Sequence, residues 1–171
     1  MKLIKLTRGK FAQVDDEDFE FLNQWKWQCD SKGYATRNPW NAGRIYMHRL
    51  LAKTPKRKFT DHIDSNTLNN QKSNLRVVTH HQNNMNRTKV PKWTSLFKGV
   101  HHKSQSHRGK PWIASIKYRE KMRHIGAFDN EHHAALAYDL WSDVLYGKFG
   151  KRNFSQDGTV DRTFVLKAAI E

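Results

Sequence analysis

Asp61-His62-Ile63-Asp64, Ser73-Asn74-Leu75-Arg76 and Gln82-Asn83-Asn84 are three short runs within residues 61–86, a segment with seven Asn and few apolar side chains. Such a composition is poor material for a core and suits a loop-rich site held by polar contacts. A divalent ion resting on a phosphate takes hard oxygen donors, which Asp61 and Asn83 can offer. A base that titrates near neutral pH is most simply a histidine, here His62. Asn74 can hold that imidazole in one tautomer through its amide oxygen. Each run alone has a plainer reading, since an Asp-His pair is ordinarily a turn and asparagines ordinarily cap helices. Their joint spacing favours chemistry.

Upstream, Val14-Asp15-Asp16-Glu17-Asp18-Phe19-Glu20 reads as a helix start, with carboxylates at the positive helix end. Trp25 to Trp27 and Gly33-Tyr34-Ala35-Thr36-Arg37 alternate like the strands of a hairpin. Arg44 to Leu51 is ambiguous between strand and helix. Downstream, the polar, basic run Asn86 to Lys92 contains Pro91 and has no periodicity, so the chain divides there. Beyond it, Phe97 to Val100, Trp112 to Tyr118 and Arg123 to Phe128 read as three strands. Ala134, Leu136, Ala137, Leu140, Trp141, Val144 and Leu145 then form a helical stripe, capped by Asp129 or Asn130 and stopped near Gly147. The expected class is α+β. Residues 1–88 make a first domain with its two strands and helix at about 59–88, 89–96 a basic linker, 97–154 a three-stranded antiparallel sheet packed on one helix, and 155–171 a tail.

The chain has 171 residues with 31 Lys plus Arg against 16 Asp plus Glu, a net charge of +15, which points to a polyanionic partner. The charge is local. Residues 31–58 carry eight basic residues and no carboxylate, and residues 92–123 carry nine against the single Glu120. Cys29 alone excludes an internal disulfide and any structural zinc built on paired cysteines. No apolar run is long enough to span a membrane and the N-terminus lacks a signal-peptide core, so an intracellular, cytoplasmic protein of a bacterial or phage-infected cell is expected.

Tyr46-Met47-His48-Arg49-Leu50, Asp61-His62-Ile63-Asp64, Asn74-Leu75-Arg76 and Asn83, at these intervals, resemble the HNH homing endonucleases of phages and mobile introns. The resemblance implies a ββα-metal motif that cleaves double-stranded DNA with one divalent ion, Mg²⁺ first and Mn²⁺ second. By position, Asp61 and Asn83 resemble the metal ligands, His62 the general base and Asn74 its orienting partner, in an H-N-N variant. His80 and His81 are alternative ligands to Asn83. Arg49 and Arg76 are candidate phosphate contacts, and His48 is a candidate packing residue beneath the site. One site per chain implies a monomer or weak dimer that nicks.

Lys98-Gly99-Val100, Trp112-Ile113-Ala114-Ser115-Ile116, Ile125-Gly126-Ala127-Phe128, Ala134 to Asp139, Gly147 and Asn153-Phe154 resemble the plant ethylene-response-factor (APETALA-type) DNA-binding domain. In that family the sheet lies in the major groove and the helix packs behind it. Lys98, Lys103, Trp112, Lys117, Arg119 and Arg123 are then candidate DNA contacts, together with Arg87 and Lys89 in the linker region. Lys98 and His101 stand where plant members carry Arg, so plant-type base specificity does not transfer. The competing readings are a non-catalytic DNA-binding regulator derived from a nuclease, and an RNA-binding protein.

Overall fold

The computed structural model describes residues 1–40, 42–88, 94–104 and 109–154. Lys89 and the tail 155–171 lie outside the described residues. The architecture is α+β, and the chain divides into two compact units, Met1–Asn86 and Arg87–Glu171.

The first unit opens with a pair of strands that the sequence reading left unassigned, β1 (Lys2–Lys5) and β2 (Phe11–Val14), antiparallel with Ile4 opposite Ala12. α1 (Asp16–Asn23) follows, with Asp16, Glu17 and Asp18 in its first turn as the helix dipole favours. The expected hairpin is present one step later than its aromatic signal. Trp25 and Trp27 precede β3 (Gln28–Cys29), which pairs with β4 (Ala35–Arg37). The turn between them is made by Asp30, whose Oδ1 accepts from the backbone N–H of Lys32 and of Tyr34, both at 2.9 Å. The ambiguous stretch 44–51 is half strand and half helix, β5 (Ile45–Tyr46) running straight into α2 (Met47–Leu51). Ile4, Leu6, Ala12, Val14, Leu22, Trp27, Ala35 and Met47 form the core of this unit. The buried Trp27 indole N–H donates to Leu22 O at 2.9 Å, so burying the ring leaves no polar atom unsatisfied.

Next come β6 (Phe59–His62) and β7 (Leu75–Val78), antiparallel with Asp61 opposite Arg76 and His62 opposite Leu75, and then α3 (His80–Asn86). The twelve-residue connection between the strands is held by β2. Gln13 N donates to Leu68 O and accepts at its carbonyl from Asn70 N, both at 2.8 Å. Asp15 accepts from Lys72 N at 2.8 Å and from the Gln71 amide at 3.2 Å. The start of α1 therefore serves the loop as well as the helix.

In the second unit, β8 (Val100–His102), β9 (Trp112–Tyr118) and β10 (Lys121–Phe128) form one antiparallel sheet in the order β10-β9-β8, and α4 (Glu131–Tyr146) lies on one face. Asn130 caps α4, accepting from His132 N at 2.7 Å. Val100, Ala114, Ile116, Ile125, Phe128, Ala134, Ala135, Ala137 and Tyr138 form the core. The expected first strand begins only at Val100, because Gly99 turns the chain with φ +77° and lies directly under Tyr138. Asp139, buried on α4, accepts from the backbone N–H of Asn153 and Phe154 at 2.8–2.9 Å. Asn153 reaches onward, accepting from Lys98 N at 2.6 Å and donating to Lys98 O at 3.1 Å. The charge of Asp139 is offset by these N–H groups, although burial itself raises its pKa.

A Cβ at Gly99 would stand 1.8 Å from Tyr138 Cδ2 on a left-handed backbone. Gly99→Ala should therefore destabilise the second unit by about 2–4 kcal/mol, read as a lowered urea midpoint at unchanged slope.

Candidate active site

β6 delivers Asp61 and His62, both more than nine-tenths buried, to the point where β7 and α3 meet. A buried carboxylate must be paired, and Asp61 is paired twice. Arg76, its cross-strand neighbour, places Nη2 at 2.6 Å and Nε at 2.8 Å from Oδ2. From α3, Asn86 Nδ2 donates to Asp61 Oδ1 at 3.0 Å and to His62 O at 2.9 Å. One asparagine thus ties strand to helix under the site.

The His62 ring is held by Asn70, not by Asn74. His62 Nε2 lies 3.3 Å from Asn70 Oδ1. The Asn70 amide nitrogen donates to Leu68 O at 3.2 Å, which leaves the oxygen facing the ring. An oxygen only accepts, so Nε2 carries the proton and Nδ1 keeps its lone pair. Burial pulls the His62 pKa down, against the upward pull of the Asn70 hydrogen bond and of Asp64 and Asp61. The ring is accordingly neutral with one nitrogen ready to accept a proton.

Assigning the orienting role to Asn74 is therefore corrected. Its oxygen accepts from Asp64 N at 3.0 Å, and its nitrogen donates to Asp64 Oδ1 at 2.9 Å and Asn69 O at 2.8 Å. Those bonds use the amide to close the loop. Asp64 also accepts from Asn66 N and the Asn69 amide, and although burial raises its pKa, these bonds together bring it below the ordinary carboxylate value.

His48, on α2, is buried with Nδ1 unpartnered among the described residues. Its ring centroid lies 5.1 Å from those of His62 and Tyr34 and 5.4 Å from that of Tyr46. Burial, then His62 and Arg49, depress its pKa to about 3, so it packs as a neutral ring. Asn83 precedes Asn86 by three residues on α3, so the two share a helix face, and the Asn83 amide bonds to no described residue. His80 is engaged elsewhere, with Asn84 at 3.3 Å and the Phe59 ring at 5.4 Å. His81 is exposed.

Several expected DNA contacts are placed otherwise. Arg76 faces Asp61 within the site, and Arg49 is spent on loop carbonyls, Lys58 O at 2.9 Å and Pro55 O at 3.4 Å. In the sheet, directly opposed residues share a face. Trp112 opposes Phe128 and Arg123 opposes Ile116, so both leave the sheet on the α4 side, and Trp112 packs against the core and His102. Trp112 shares its face with Ala114 and Ile116 by the alternation of β9 itself, whereas the side of Arg123, which stays exposed, is set by its partner Ile116. Lys117, opposite Met122, lies on the open face and pairs with Glu120 at 2.6 Å. Arg119 sits in the β9–β10 turn over the Tyr118 ring. Lys98 is half-buried, and burial, then Lys151 and Arg87, pull its pKa to about 8. Lys103 and Arg87 are exposed.

Residues 46–85 match the family model described as HNH endonuclease. An uncharacterized HNH endonuclease of Acanthamoeba polyphaga mimivirus is 30% identical over 157 residues, covering 88% of this chain and 79% of the relative. This chain belongs to the HNH endonuclease family. Membership makes it a nuclease, a hydrolase that acts on DNA. The shared span is too long to be confined to Met1–Asn86, so the HNH relative also has sequence matching part of the second unit. Neither match supports the ethylene-response-factor resemblance; what stands there is three strands and a helix. No solved structure matches significantly. No helix among the described residues is long and apolar enough to cross a membrane.

Asn70 and Asn86 were missed in the sequence. Nothing singles out Asn70 among seven asparagines, whereas the i, i+3 spacing of Asn83 and Asn86 was available. Asn70→Ala should lower cleavage about 10–100-fold and, because its buried hydrogen bonds are lost, cost roughly 1–3 kcal/mol, and Asn74→Ala should lower the melting temperature with a smaller effect on rate below it. Paired melts and single-turnover rates separate the two.

Proposed function

We propose that the chain hydrolyses phosphodiester bonds of double-stranded DNA at a ββα-metal site on β6, β7 and α3, as a homing-type nuclease. The supporting observation is the His62 ring, neutral through burial, with Nε2 pinned by Asn70 and Nδ1 left as an acceptor. A water molecule in line with a phosphate at this nitrogen gives up its proton to it, and Asn70 keeps the resulting imidazolium oriented. Asn86 holds the backbone of β6, so base and carboxylate keep their spacing.

A hard divalent ion fits the side chains present. Asp61 Oδ2 is filled by the two Arg76 nitrogens, but Oδ1 accepts one bond, from Asn86, and keeps a second lone-pair direction, and Asn83, whose amide bonds to no described residue, offers an oxygen on the same side of α3 as Asn86. Among the described residues there is no cluster of three His, Cys, Asp or Glu of the kind a protein-enclosed metal takes. That suits Mg²⁺ or Mn²⁺, which keep much of their water and need one or two carboxylates. Asp61 and Asn83 would hold the ion, and its chemistry is Lewis-acid neutralisation of charge on the phosphate and the leaving oxygen. One such site cuts one strand per visit, so a monomer nicks and a duplex break takes two events or a dimer.

The second unit is proposed to hold duplex DNA on the open face of its sheet. By register that face carries His101, Ile113, Ser115, Lys117, Met122, His124 and Ala127. The ethylene-response-factor reading of residues 97–154 is retained in this form, with Trp112 and Arg123 removed from the contact set. A non-catalytic DNA-binding reading has one observation in its favour, namely that both Asp61 oxygens are already engaged.

Supercoiled plasmid decides between these readings. Nicking that appears with Mg²⁺, stops with EDTA and falls about 10²–10⁴-fold in His62→Ala supports the nuclease. Binding without nicking in either Mg²⁺ or Mn²⁺ supports the regulator. For the second unit, Lys117→Ala should flatten the log-log salt dependence of binding by about 0.9, one phosphate's worth, and Arg123→Ala should leave the slope unchanged.

A further inference from the structure

The β4–β5 connection carries Trp40, which is 93% exposed, the most exposed large apolar side chain described. Ala42 N donates to Pro39 O at 3.3 Å, closing a turn with Trp40 at its corner. Leaving a whole indole in water forfeits the burial that usually accompanies tryptophan, and the surroundings indicate what would cover it. Arg37 lies at the base of the connection with its guanidinium 4.0 Å from the Trp25 ring centroid, and its Nε is buried without a partner among the described residues. Arg44 is exposed on the returning arm. No carboxylate occurs anywhere in residues 31–58, against eight Lys and Arg. An aromatic tip on a stretch of chain rich in cations and free of carboxylates complements a nucleic acid, with phosphates meeting the cations and a base meeting the indole.

The same hairpin reaches the candidate active site at its other end. Tyr34, just before β4, has its ring centroid 6.0 Å from that of His62, and Tyr46, at the end of β5, stands 5.4 Å from that of His48. Trp40 lies six positions beyond Tyr34. At ~3.3 Å per residue that is a span of at most about 20 Å. With the Tyr34–His62 spacing added, the path from the Trp40 backbone to the His62 ring comes to about 26 Å, on the order of eight base-pair steps at ~3.4 Å per step.

We infer that Trp40 is a DNA-stacking residue, packing on a base or entering a base step of the duplex within about eight base pairs of the scissile phosphate. This rests on the proposed nuclease reading for the position of that phosphate. The contact adds affinity and local distortion of the duplex without taking part in bond cleavage. Because stacking is not ionic, it contributes nothing to the salt slope.

The test compares full-length wild type with Trp40→Ala and Trp40→Phe. Trp40 is exposed at a loop tip, so neither variant should unfold. Binding is measured with mixed-sequence duplex DNA in EDTA, following tryptophan emission and its quenching by acrylamide. Nicking kinetics use plasmid with Mg²⁺. The expected result is DNA-dependent protection of an acrylamide-quenchable emission in wild type that is absent in both variants. Binding and KM should weaken about tenfold in Trp40→Ala, with partial recovery in Trp40→Phe, an unchanged salt slope and kcat within twofold. Duplexes carrying 2-aminopurine at successive positions around a mapped nick should brighten within eight base pairs of it in wild type alone. Trp40→Ala that binds and cuts as wild type does, or brightening confined to positions beyond that distance, overturns the inference and leaves the nuclease reading intact. Protection of Trp40 by DNA in a protein that never nicks overturns the nuclease reading and leaves the stacking contact standing.

Discussion

A carboxylate removed from water has to be paired, and at Asp61 that requirement organises the whole site. The partners come from different elements, Arg76 from the adjacent strand and Asn86 from the helix. Breaking a buried charge pair by removing one member ordinarily costs ~3–5 kcal/mol. Satisfying Asp61 is therefore also what fixes strand, strand and helix in one geometry. The His62 carbonyl is caught by the same asparagine, which links the orientation of the acid to that of the imidazole beside it.

The loop that carries Asn70 has no core of its own. Its rigidity is borrowed from β2, whose Gln13 backbone bonds it on both sides, and from Asp15, which holds Gln71 and Lys72. Asn70 is fully buried as a result, and its amide can hold a ring nitrogen without the rotamer freedom an exposed asparagine would have. Asn74 and Asp64 brace the loop from within. The site is thus an irregular segment tied to a small, well-packed sheet, with its donors and acceptors almost fully committed before any substrate arrives.

Much of this was legible in the sequence, for reasons that can be stated. The three rear strands and α4 follow from apolar periodicity and from the cap at Asn130, both local signals. The Asp61-His62 pair stands out in the sequence by its residue types, and the structure buries both side chains together at the end of β6. What failed was everything dependent on contacts between distant residues. Gln13 lies 57 positions before Asn70, so nothing local marks Asn70 rather than Asn74 as the partner of the ring. β1 and β2 are too short to announce themselves, and Arg123 falls on the α4 side because its partner across the ladder is Ile116, whereas the side of Trp112 follows from its own alternation with Ala114 and Ile116. The ethylene-response-factor resemblance rests on the same local strand and helix signals, and three strands and a helix are what the second unit has, while the family comparisons lend the resemblance no support.

Asn153 clasps both backbone groups of Lys98, and Asp139 fastens Asn153 and Phe154 to α4. The two ends of the segment Lys98–Phe154 are therefore side by side, closed by a polar buckle. A segment whose two ends meet can be spliced into another polypeptide through short joints without disturbing either partner. The closure is made inside Lys98–Phe154, so the sheet and α4 are fastened by their own two ends.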